Sequence, residues 1–365
     1  MRHHASISEA WRQQRLVVQL VAPGTGGVRD YLECLQRQWQ SMGITSHVIA
    51  LSPGDARQQS LGDRLQVLVE AHRQPCSLVL HFSGYGFEQR GLCFWLVREI
   101  ENARKLLGEN LRLVTMFHEL FASGPPWGSA FWLSRVQASI ASRIARASDG
   151  LWTNTELHGH WLRKQVGEEV PIQVQPVFST VGEPDAVPDT NVRAPRVAVF
   201  GSQSTRHRAL ARLPPLAAHL RSAGITEVVE VGSGAAYPWH ERSLKMRFLG
   251  RLETSELRSV LESSAYGLLD YPPQYLGKST VFAAYAAHGC VSLNTADTAR
   301  DTDGLKQGLH FVMLKSEPSI PKDFLARRAV ADAGRAWYSR HSLALQAQTF
   351  AESCGVTNIA CVDHA

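Results

Sequence analysis

Short apolar runs alternate with longer segments of helical period along most of this chain. The first run, residues 15–24 (RLVVQLVAPG), ends in proline and glycine. A helical pattern from Val28 to Met42 follows directly after Gly26 and Gly27. This order predicts a strand, a glycine loop and a helix.

The same alternation continues through the first half of the chain. Five further strands are predicted at residues 47–51, 77–82, 111–117, 151–154 and 172–178, with helices at 61–73, 88–107, 130–147 and 156–165. Strands separated by helices predict a parallel sheet that is covered on both faces. Residues 1–180 are therefore predicted to form one Rossmann-like domain.

A second half follows after a break in the pattern. Residues 180–196 (TVGEPDAVPDTNVRAPR) carry three prolines and no periodicity, which predicts a linker at 181–195. Strands are then predicted at 196–200, 228–231, 246–249, 266–270 and 291–293, with a helix at 206–223. Residues 196–365 are predicted to form a second Rossmann-like domain. Its last helical stretch, 324–350, is long enough to pack back toward the first half.

The segment 266–293 (YGLLDYPPQYLGKSTVFAAYAAHGCVSL) carries the strongest chemical signal. Its glycine, Lys278, Ser279 and Thr280 lie where a helix rich in small residues should begin. Backbone N–H groups, a hydroxyl and an ammonium would converge there, which suits a phosphate. Asp270 and Tyr271, at the end of the preceding strand, are expected to border the base or ribose of a nucleotide.

The G-K-S step is also the tail of a Walker A loop, so a P-loop nucleotide hydrolase is an alternative. That loop requires a glycine five residues before Gly277, and Pro272 occupies the position. The hydrolase is therefore the less favoured interpretation.

Arginines follow two other strands of the second half. Arg206 lies in SQSTRHR, directly after Gly201, and Arg251 follows Gly250. An arginine beside a glycine turn at the carboxyl end of a strand is suited to bidentate phosphate contact, while a solvated surface arginine is the alternative. Together with Lys278, these residues favour a phosphate pocket.

In the first half, His118 and Glu119 end the predicted strand 111–117, at the edge where open α/β sheets place their ligands. The pKa of a histidine lies near neutrality, so His118 is a candidate general base, and a structural histidine is the alternative. The next segment, 121–127 (FASGPPW), is expected to border a cleft.

The loop at Gly26 and Gly27 is either a ligand-lining loop or a simple tight turn. The G-x-G-x-x-G dinucleotide pattern fails, because Arg29 stands where its third glycine belongs. A nicotinamide-dependent enzyme is therefore disfavoured.

Composition narrows the possible partners and the compartment. The 365 residues are 44% hydrophobic and 19% charged, which allows two folded cores. A net charge of +5, dispersed along the chain, disfavours nucleic acid as a partner. Six cysteines without a C-x-x-C spacing predict buried free thiols in a reducing compartment. With no apolar segment of signal-peptide length, the expected location is the cytoplasm.

The predicted helix 130–147 leaves contact with a membrane open. Its Phe131 and Trp132 accompany Arg135, Arg143 and Arg146, a combination found in helices that lie in a membrane interface. A helix that covers the sheet with its arginines in water is the favoured alternative. If the helix does lie in a membrane interface, the protein is expected to be peripheral at the inner face of the membrane.

Taken together, these segments resemble a GT-B glycosyltransferase of family 4, with two Rossmann-like domains facing across a cleft. The resemblance rests on Gly26 and Gly27, on His118, on Gly201, and on the run from Phe248 through the Ala-Ala-His-Gly of residues 286–289. Residues 117–137 (FHELFASGPPWGSAFWLSRVQ) resemble a subset of bacterial enzymes that build surface polysaccharides.

The chain departs from the family at two sites. The family carries a pair of glutamates that contact the donor sugar and the ribose. When Gly289 is aligned with the closing glycine of the family, Leu276 and Ala284 stand at the two glutamate positions. The Arg and Lys that follow the first strand of the family's second domain are also shifted: Ser202 and His207 stand at their positions, with Arg206 and Arg208 adjacent. Lys278 is expected to replace part of the lost phosphate charge.

The resemblance implies transfer of a sugar from a UDP- or GDP-sugar to a hydroxyl of a glycan or lipid-linked glycan, with retention of configuration. The donor would lie in the second half, where fixed positive charge could stabilise the diphosphate without a metal ion or other cofactor. The acceptor would lie at Gly26 and Gly27, with His118 near the reacting carbon. A non-catalytic module that binds a sugar nucleotide or glycan on the same fold is the main alternative.

Overall fold

The computed structural model describes residues 15–122, 129–189, 192–297, 301–315 and 318–356, and of residues 129–131 only the backbone. The chain folds as two compact units. The first comprises Met1–Gln175 and Leu343–Ala365, and the second comprises Pro176–Ser342. The division therefore falls five residues before the predicted end of the first domain, and the last helix belongs to the first unit. Most of the predicted loop 121–127 lies outside the described residues.

The first unit contains a sheet of six parallel strands. The strands are β1 (Leu16–Val21), β2 (Ser46–Ala50), β3 (Cys76–Phe82), β4 (Leu111–Phe117), β5 (Gly150–Thr153) and β6 (Ile172–Val174). Their order in the sheet is β2-β1-β3-β4-β5-β6. The chain leaves β1 toward one side and returns to β3 on the other, so the carboxyl ends of β1 and β3 form a topological switch point, where open α/β sheets bind ligands.

Helices connect these strands and cover the sheet. They are α1 (Gly27–Ser41), α2 (Pro53–Gln58), α3 (Leu61–His72), α4 (Gly84–Phe87), α5 (Phe94–Leu107), α6 (Ser129–Ala147) and α7 (Glu156–Val166). The core is made by buried aliphatic and aromatic side chains of the strands and of α3, α5 and α6. All six residues of β1 are buried, including the polar Gln19, as expected for a strand inside a parallel sheet.

The second unit has its own sheet of six parallel strands. They are β7 (Ala194–Phe200), β8 (Glu227–Val231), β9 (Lys245–Phe248), β10 (Ser264–Leu269), β11 (Val291–Asn294) and β12 (Val312–Met313). Their order is β12-β11-β10-β7-β8-β9, the Rossmann order, which places the switch point between β7 and β10. The helices of this unit are α8 (Gln203–Ala211), α9 (Ala217–Ser222), α10 (Thr254–Glu262), α11 (Thr280–Ala287) and α12 (Phe324–Tyr338).

Three predicted elements are shorter than expected, each for a backbone reason. The predicted helix 206–223 is interrupted by a 3₁₀ turn at Pro214–Leu216, because two prolines remove helical hydrogen bonds. The predicted helix 88–107 begins only at Phe94, after Arg90 and Gly91 adopt positive φ. The strand predicted at 172–178 ends at Val174, two residues before Pro176, which has no N–H for the ladder.

The final helical stretch is also two helices. After α12, a 3₁₀ turn at Ser339–His341 separates it from α13 (Leu343–Ser353). Within the first unit, α13 is anchored to α1: the Trp39 indole N–H donates to the Ala347 carbonyl at 2.8 Å, and Tyr31 Oη donates to Gln346 Oε1 at 3.0 Å. The last helix is therefore part of the structure of the first unit.

Candidate functional site

The loop after β7 and the start of α11 meet at the switch point of the second unit. Gly201 follows β7 directly and has a φ of 123°, a conformation that favours glycine. A Cβ placed on Gly201 would lie 3.5 Å from the side chain of Val281, in the first turn of α11, and 3.2 Å from Thr205 Oγ1 in the first turn of α8. The first turns of two helices therefore lie beside Gly201, and helix N-termini attract anions.

The Lys278-Ser279-Thr280 step lies at this helix start, as the sequence predicts. Thr280 is the first residue of α11, and the buried Ser279 caps it by accepting a hydrogen bond from the Phe282 N–H at 3.1 Å. The Lys278 ammonium lies 5.8 Å from the centre of the Tyr275 ring and is half-buried. The positive end of the α11 dipole and the Lys278 side chain therefore lie close together in the chain.

Asp270 and Tyr271 follow β10 on the other side of the switch point. Arg208 of α8 donates through Nε to Asp270 Oδ2 at 3.2 Å, and through Nη2 to the Asp270 carbonyl at 3.5 Å. The Asp270 side chain is mostly buried, while 55% of the Arg208 side chain is exposed. The buried Asn294 fixes Tyr271, accepting from its N–H and donating to its carbonyl. The exposed cation of this pair is therefore Arg208.

Arg208 is a site residue that the sequence analysis did not select. A signal for it was available: Ser202 caps α8 by accepting from the Thr205 N–H, so the helix begins at Gln203. In a helix with that start, Arg208 lies three residues after Thr205 and therefore near the same face, which borders Gly201.

Arg206 is completely buried, and its surroundings differ from those expected of a phosphate ligand. Its guanidinium donates to Glu230 Oε1 at 2.9 Å, to the Gly201 carbonyl at 2.6 Å and to the Ser233 carbonyl at 3.0 Å. Gly232 makes room for it, since a Cβ there would lie 2.1 Å from Arg206 Nη1. We infer that Arg206 has a structural role and holds the loops after β7 and β8 in place.

Arg251 lies farther along the same sheet edge. It follows Gly250 after β9, and its side chain is exposed. β9 lies three strands from β10 in the sheet, a separation of about 14 Å at ordinary strand spacing. The structure therefore groups Gly201, Arg208, Asp270 and the start of α11, and places Arg251 at a distance from them.

Leu276 and Ala284, which the sequence resemblance placed at the two glutamate positions, are both core residues. Leu276 is 1% exposed and Ala284 is 0% exposed. An acid at either position would have to bury a carboxylate, which costs several kcal/mol unless it is paired. Charged side chains near this switch point include Asp270, Arg208 and Lys278, besides the buried Arg206–Glu230 pair.

The position of α11 depends on Gly267 in β10. A Cβ at Gly267 would lie 2.4 Å from the ring of Tyr285, whose hydroxyl donates to the carbonyls of Ala198 and Leu268. Because the ring lies against the glycine, Gly267→Ala should lower the free energy of unfolding by about 1–3 kcal/mol through overpacking, measured by urea denaturation. Gly150→Ala is the matched control, since its Cβ would meet only one atom, at 3.9 Å. Equal losses in both variants would contradict this packing role.

In the first unit, a cavity of about 140 Å³ lies at the β1/β3 switch point. Its lining includes Gly24–Val28, His81, Ser83 and Gly86. Gly26, with a φ of 130°, is the N-cap of α1, and Gly27 is the first helical residue; as a glycine, Gly26 offers no side-chain oxygen to cap the helix. The predicted glycine loop is therefore part of the cavity wall and carries backbone N–H groups of the first helical turn.

His118 and Glu119 are connected to this cavity by His81 and Ser83. His118 Nε2 lies 3.2 Å from His81 Nδ1, and Ser83 Oγ donates to Glu119 Oε2 at 3.3 Å. Both histidine side chains are buried. The sequence analysis did not select His81 or Gln19, its other partner. The signal available was a pair of polar residues inside two otherwise apolar strands.

The described residues give no sign of a metal site or of a helix across a membrane. Among them, no group of three or more His, Cys, Asp or Glu side chains could hold a metal ion. No helix in this part of the chain is long and apolar enough to cross a bilayer. In α6, Ile140 and Ile144 are buried against the sheet, while Trp132 is 70% exposed and Arg143 pairs with Glu101 at 2.8 Å.

Comparison with known proteins shows the fold. No family model and no curated sequence matches this chain. The structure is similar to HepE of Anabaena, solved with UDP and glucose: TM-score 0.56, 14% identity, with 93% of this chain and 99% of that chain covered. The chain has the GT-B fold. It is also similar to a glycosyltransferase from Rickettsia africae, at TM-score 0.59 and 11% identity over 93% of this chain and 97% of that chain.

A third structure of the same kind is the trehalose 6-phosphate synthase of Burkholderia multivorans. It matches at TM-score 0.55 and 13% identity, with 93% of this chain and 98% of that chain covered. The two Rossmann-like units found here are thus the two α/β units of the GT-B fold, in agreement with the fold class predicted from the sequence. At sequence identities this low, the similarity shows the fold but not the substrate or the reaction.

Proposed function

We propose that this GT-B protein is a glycosyltransferase that moves a sugar from a nucleotide diphosphate donor to a hydroxyl of a glycan or lipid-linked glycan. The observation that carries the proposal is the meeting of Gly201, the Arg208–Asp270 pair and the Lys278 helix start at the β7/β10 switch point. A diphosphate is bound well where a glycine lets the backbone come close, where cationic side chains lie nearby, and where a helix N-terminus points at the ligand. The finer proposal is a hexosyltransferase of family 4 that acts in the cytoplasm, at or near the membrane, in surface-polysaccharide synthesis.

The chemistry assigned to this site is stabilisation of the departing nucleotide diphosphate. Negative charge grows on the diphosphate as the bond to the sugar breaks, and preorganised donors lower the energy of that state. The N–H groups at the start of α11, the Lys278 ammonium and the Arg208 guanidinium are the assigned donors, with Arg251 a more distant cation. Ser279 keeps the helix start in place as its cap.

We assign the nucleoside end of the donor to Asp270 and Tyr271. Asp270 is held by Arg208 and Tyr271 by Asn294, so both residues are positioned before a ligand binds. UDP is the first nucleotide to test, because both HepE and an α-glucosyltransferase of similar structure were solved with UDP. The same α-glucosyltransferase was also solved with DNA, so DNA belongs among the acceptors tested beside glycans.

The acceptor is assigned to the first unit. The cavity beside Gly26 and Gly27 offers backbone N–H groups and lies against His81, the partner of His118. We assign His118 to orienting the acceptor hydroxyl and Glu119, which is tied to Ser83, to the same cavity. Retention of configuration is part of the proposal, by analogy with the family 4 resemblance.

Thermal denaturation with UDP, GDP, dTDP, ADP and their sugars tests the donor site. A nucleotide at 100 times its Kd should raise Tm by about 3–4 °C for a chain of this size. Arg208→Met should weaken the affinity about tenfold, the effect of losing one charge-assisted contact. Arg212→Met is the matched control, since Arg212 is a half-exposed arginine one turn along, paired with Asp297.

The outcomes separate the alternatives. Absence of a shift with every nucleotide would refute the donor site. Tight binding without turnover across donors and acceptors would identify a non-catalytic binding module. Mg²⁺-dependent release of phosphate from ATP or GTP would favour the P-loop hydrolase.

A further inference from the structure

Four polar side chains form a continuous hydrogen-bonded chain through the first unit. Gln19 Nε2 donates to Ser46 Oγ at 3.1 Å, Gln19 Oε1 lies 3.1 Å from His81 Nε2, and His81 Nδ1 lies 3.2 Å from His118 Nε2. All four side chains are buried, and they come from β1, β2, β3 and the end of β4. This network therefore crosses the sheet and reaches His118, the residue assigned to the acceptor hydroxyl.

The direction of these hydrogen bonds follows from what each atom can do. The amide nitrogen of Gln19 is directed at Ser46, so its carbonyl oxygen faces His81 and can only accept. His81 must then carry a proton on Nε2. A neutral imidazole has one N–H, so Nδ1 of a neutral His81 can only accept.

Burial keeps His81 neutral. The side chain is 1% exposed, and desolvation lowers its pKa to about 3. The four side chains of the network include no carboxylate, and the aromatic neighbour Tyr31 stays uncharged because burial raises its pKa. The proton between the two histidines must therefore sit on His118 Nε2.

The rings are also held in place from the side. The Tyr31 ring meets His118 edge-to-face, with centroids 5.0 Å apart, and meets His81 at 5.9 Å. The Tyr31 hydroxyl is tied to Gln346 of α13, and the His118 backbone N–H donates to the Phe82 carbonyl at 3.0 Å. These contacts fix the planes in which the imidazole hydrogen bonds lie.

We propose that His81, oriented by Gln19, is a positioning residue that keeps a proton on His118 Nε2, so that the neutral form of His118 carries its lone pair on Nδ1. The part of this inference that concerns substrate rests on the proposed function: a His118 of this tautomer accepts a proton or hydrogen bond from a hydroxyl through Nδ1, and cannot donate one from that atom. Ser83 and Glu119 are the neighbouring polar groups at this end of the chain.

The test is ¹⁵N NMR of the full chain with labelled histidine at pH 7.5, where Nε2–H and Nδ1–H tautomers give distinct nitrogen shifts. His81→Gln and His118→Gln spectra assign the two signals by subtraction. Both residues should show the Nε2–H pattern. A wild-type His118 in the Nδ1–H form, or in equal exchange between the two forms, would overturn the proposal.

Gln19→Glu should reverse the direction of the hydrogen bond between His81 and His118. A buried carboxylate beside His81 raises its pKa, so His81 becomes doubly protonated and its Nδ1–H donates to His118 Nε2. His118 should then change to the Nδ1–H tautomer. Gln36→Glu adds the same charge on α1, near Ser46 but without a histidine contact, and should leave His118 unchanged. A His118 that keeps its Nε2 proton in Gln19→Glu would contradict the proposed role of His81, and the wild-type spectrum decides the question if this variant does not fold.

Enzymatic and binding measurements keep this inference separate from the proposed function. With an active donor and acceptor pair, Gln19→Glu should lower kcat at least tenfold and leave the affinity for the nucleotide unchanged. If the wild-type protein binds no nucleotide while both histidines show the Nε2–H pattern, the proposed function fails and the tautomer assignment stands. If the wild-type protein binds a nucleotide but His118 shows the Nδ1–H pattern, the proposed function stands and the tautomer assignment is overturned.

Discussion

Replacing Arg206 with methionine should lower the free energy of unfolding by about 3–5 kcal/mol. Both side chains of the Arg206–Glu230 pair are completely buried, so the variant leaves a carboxylate inside the second unit without its cation. Glu230 keeps one hydrogen bond, in which its Oε2 accepts from the Tyr237 N–H at 2.9 Å, and its Oε1 lies 3.7 Å from His207 Nε2. One such hydrogen bond does not compensate for burial of a charge. Urea denaturation measures the loss.

The double variant Arg206→Met/Glu230→Met should recover most of this stability. Removing both charges abolishes the unpaired carboxylate, and well-packed apolar pairs often equal or exceed a buried ion pair. Arg328→Met serves as the control, because its partner Asp332 and its own side chain are both largely exposed, and such pairs contribute at most about 1 kcal/mol. A double variant that is less stable than either single variant would contradict this account.

Stability and nucleotide binding should separate in these variants. Arg206 also donates to the carbonyls of Gly201 and Ser233, which belong to the loops after β7 and β8. The double variant lacks these two contacts, so it should regain its stability but not its affinity for UDP. Calorimetric titration of the refolded double variant tests this, and wild-type affinity there would place Arg206 outside the site altogether.

The second large effect is expected at Phe350, in the last helix. Phe350 is fully buried in the first unit, stacked on Trp152 with ring centroids 4.2 Å apart, and meets the edge of Trp39 at 6.0 Å. Phe350→Ala should lower the free energy of unfolding by about 3–5 kcal/mol, because it removes a ring and leaves a cavity between two indoles. The loss can be measured by urea denaturation followed through tryptophan fluorescence.

Leu345→Ala is the matched control on the same helix. Leu345 is 45% exposed, so its truncation should change stability by no more than about 0.5 kcal/mol. The Phe350 variant should also broaden the His118 NMR signal, since α13 carries Gln346, which holds Tyr31 against both histidines. A loss of similar size in both variants would mean that α13 is not anchored through Phe350.

Much of the fold could be predicted from the pattern of apolar residues alone. The eleven strands predicted from apolar runs all exist, because a strand inside a parallel sheet must be apolar on both faces and this constraint is local. β12 has only two residues, Val312 and Met313, and has too short a run to give a signal. Helix ends were less accurate, because they depend on backbone conformations such as the positive φ of Arg90.

The candidate sites were only partly accessible from the sequence. Glycines and polar residues at strand ends pointed to Gly201, Asp270 and the start of α11, because all carboxyl ends of parallel strands meet at one edge. Whether an arginine there faces solvent or the interior depends on packing. Arg206 and Arg208 are two residues apart, and the structure buries the first against Glu230 and leaves the second exposed beside Asp270.

The amino-acid sequence alone predicts the alternation of strands and helices, the two α/β units, and the helix that begins at Thr280 after Lys278 and Ser279. These features follow from local periodicity and from the capping chemistry of single residues. The folded structure is needed to see that Gln19, His81 and His118 form one hydrogen-bonded network, and that Gln346, more than 300 positions after Tyr31, accepts a hydrogen bond from its hydroxyl. Such contacts join residues far apart in the chain, and their strength depends on burial, which local sequence does not contain.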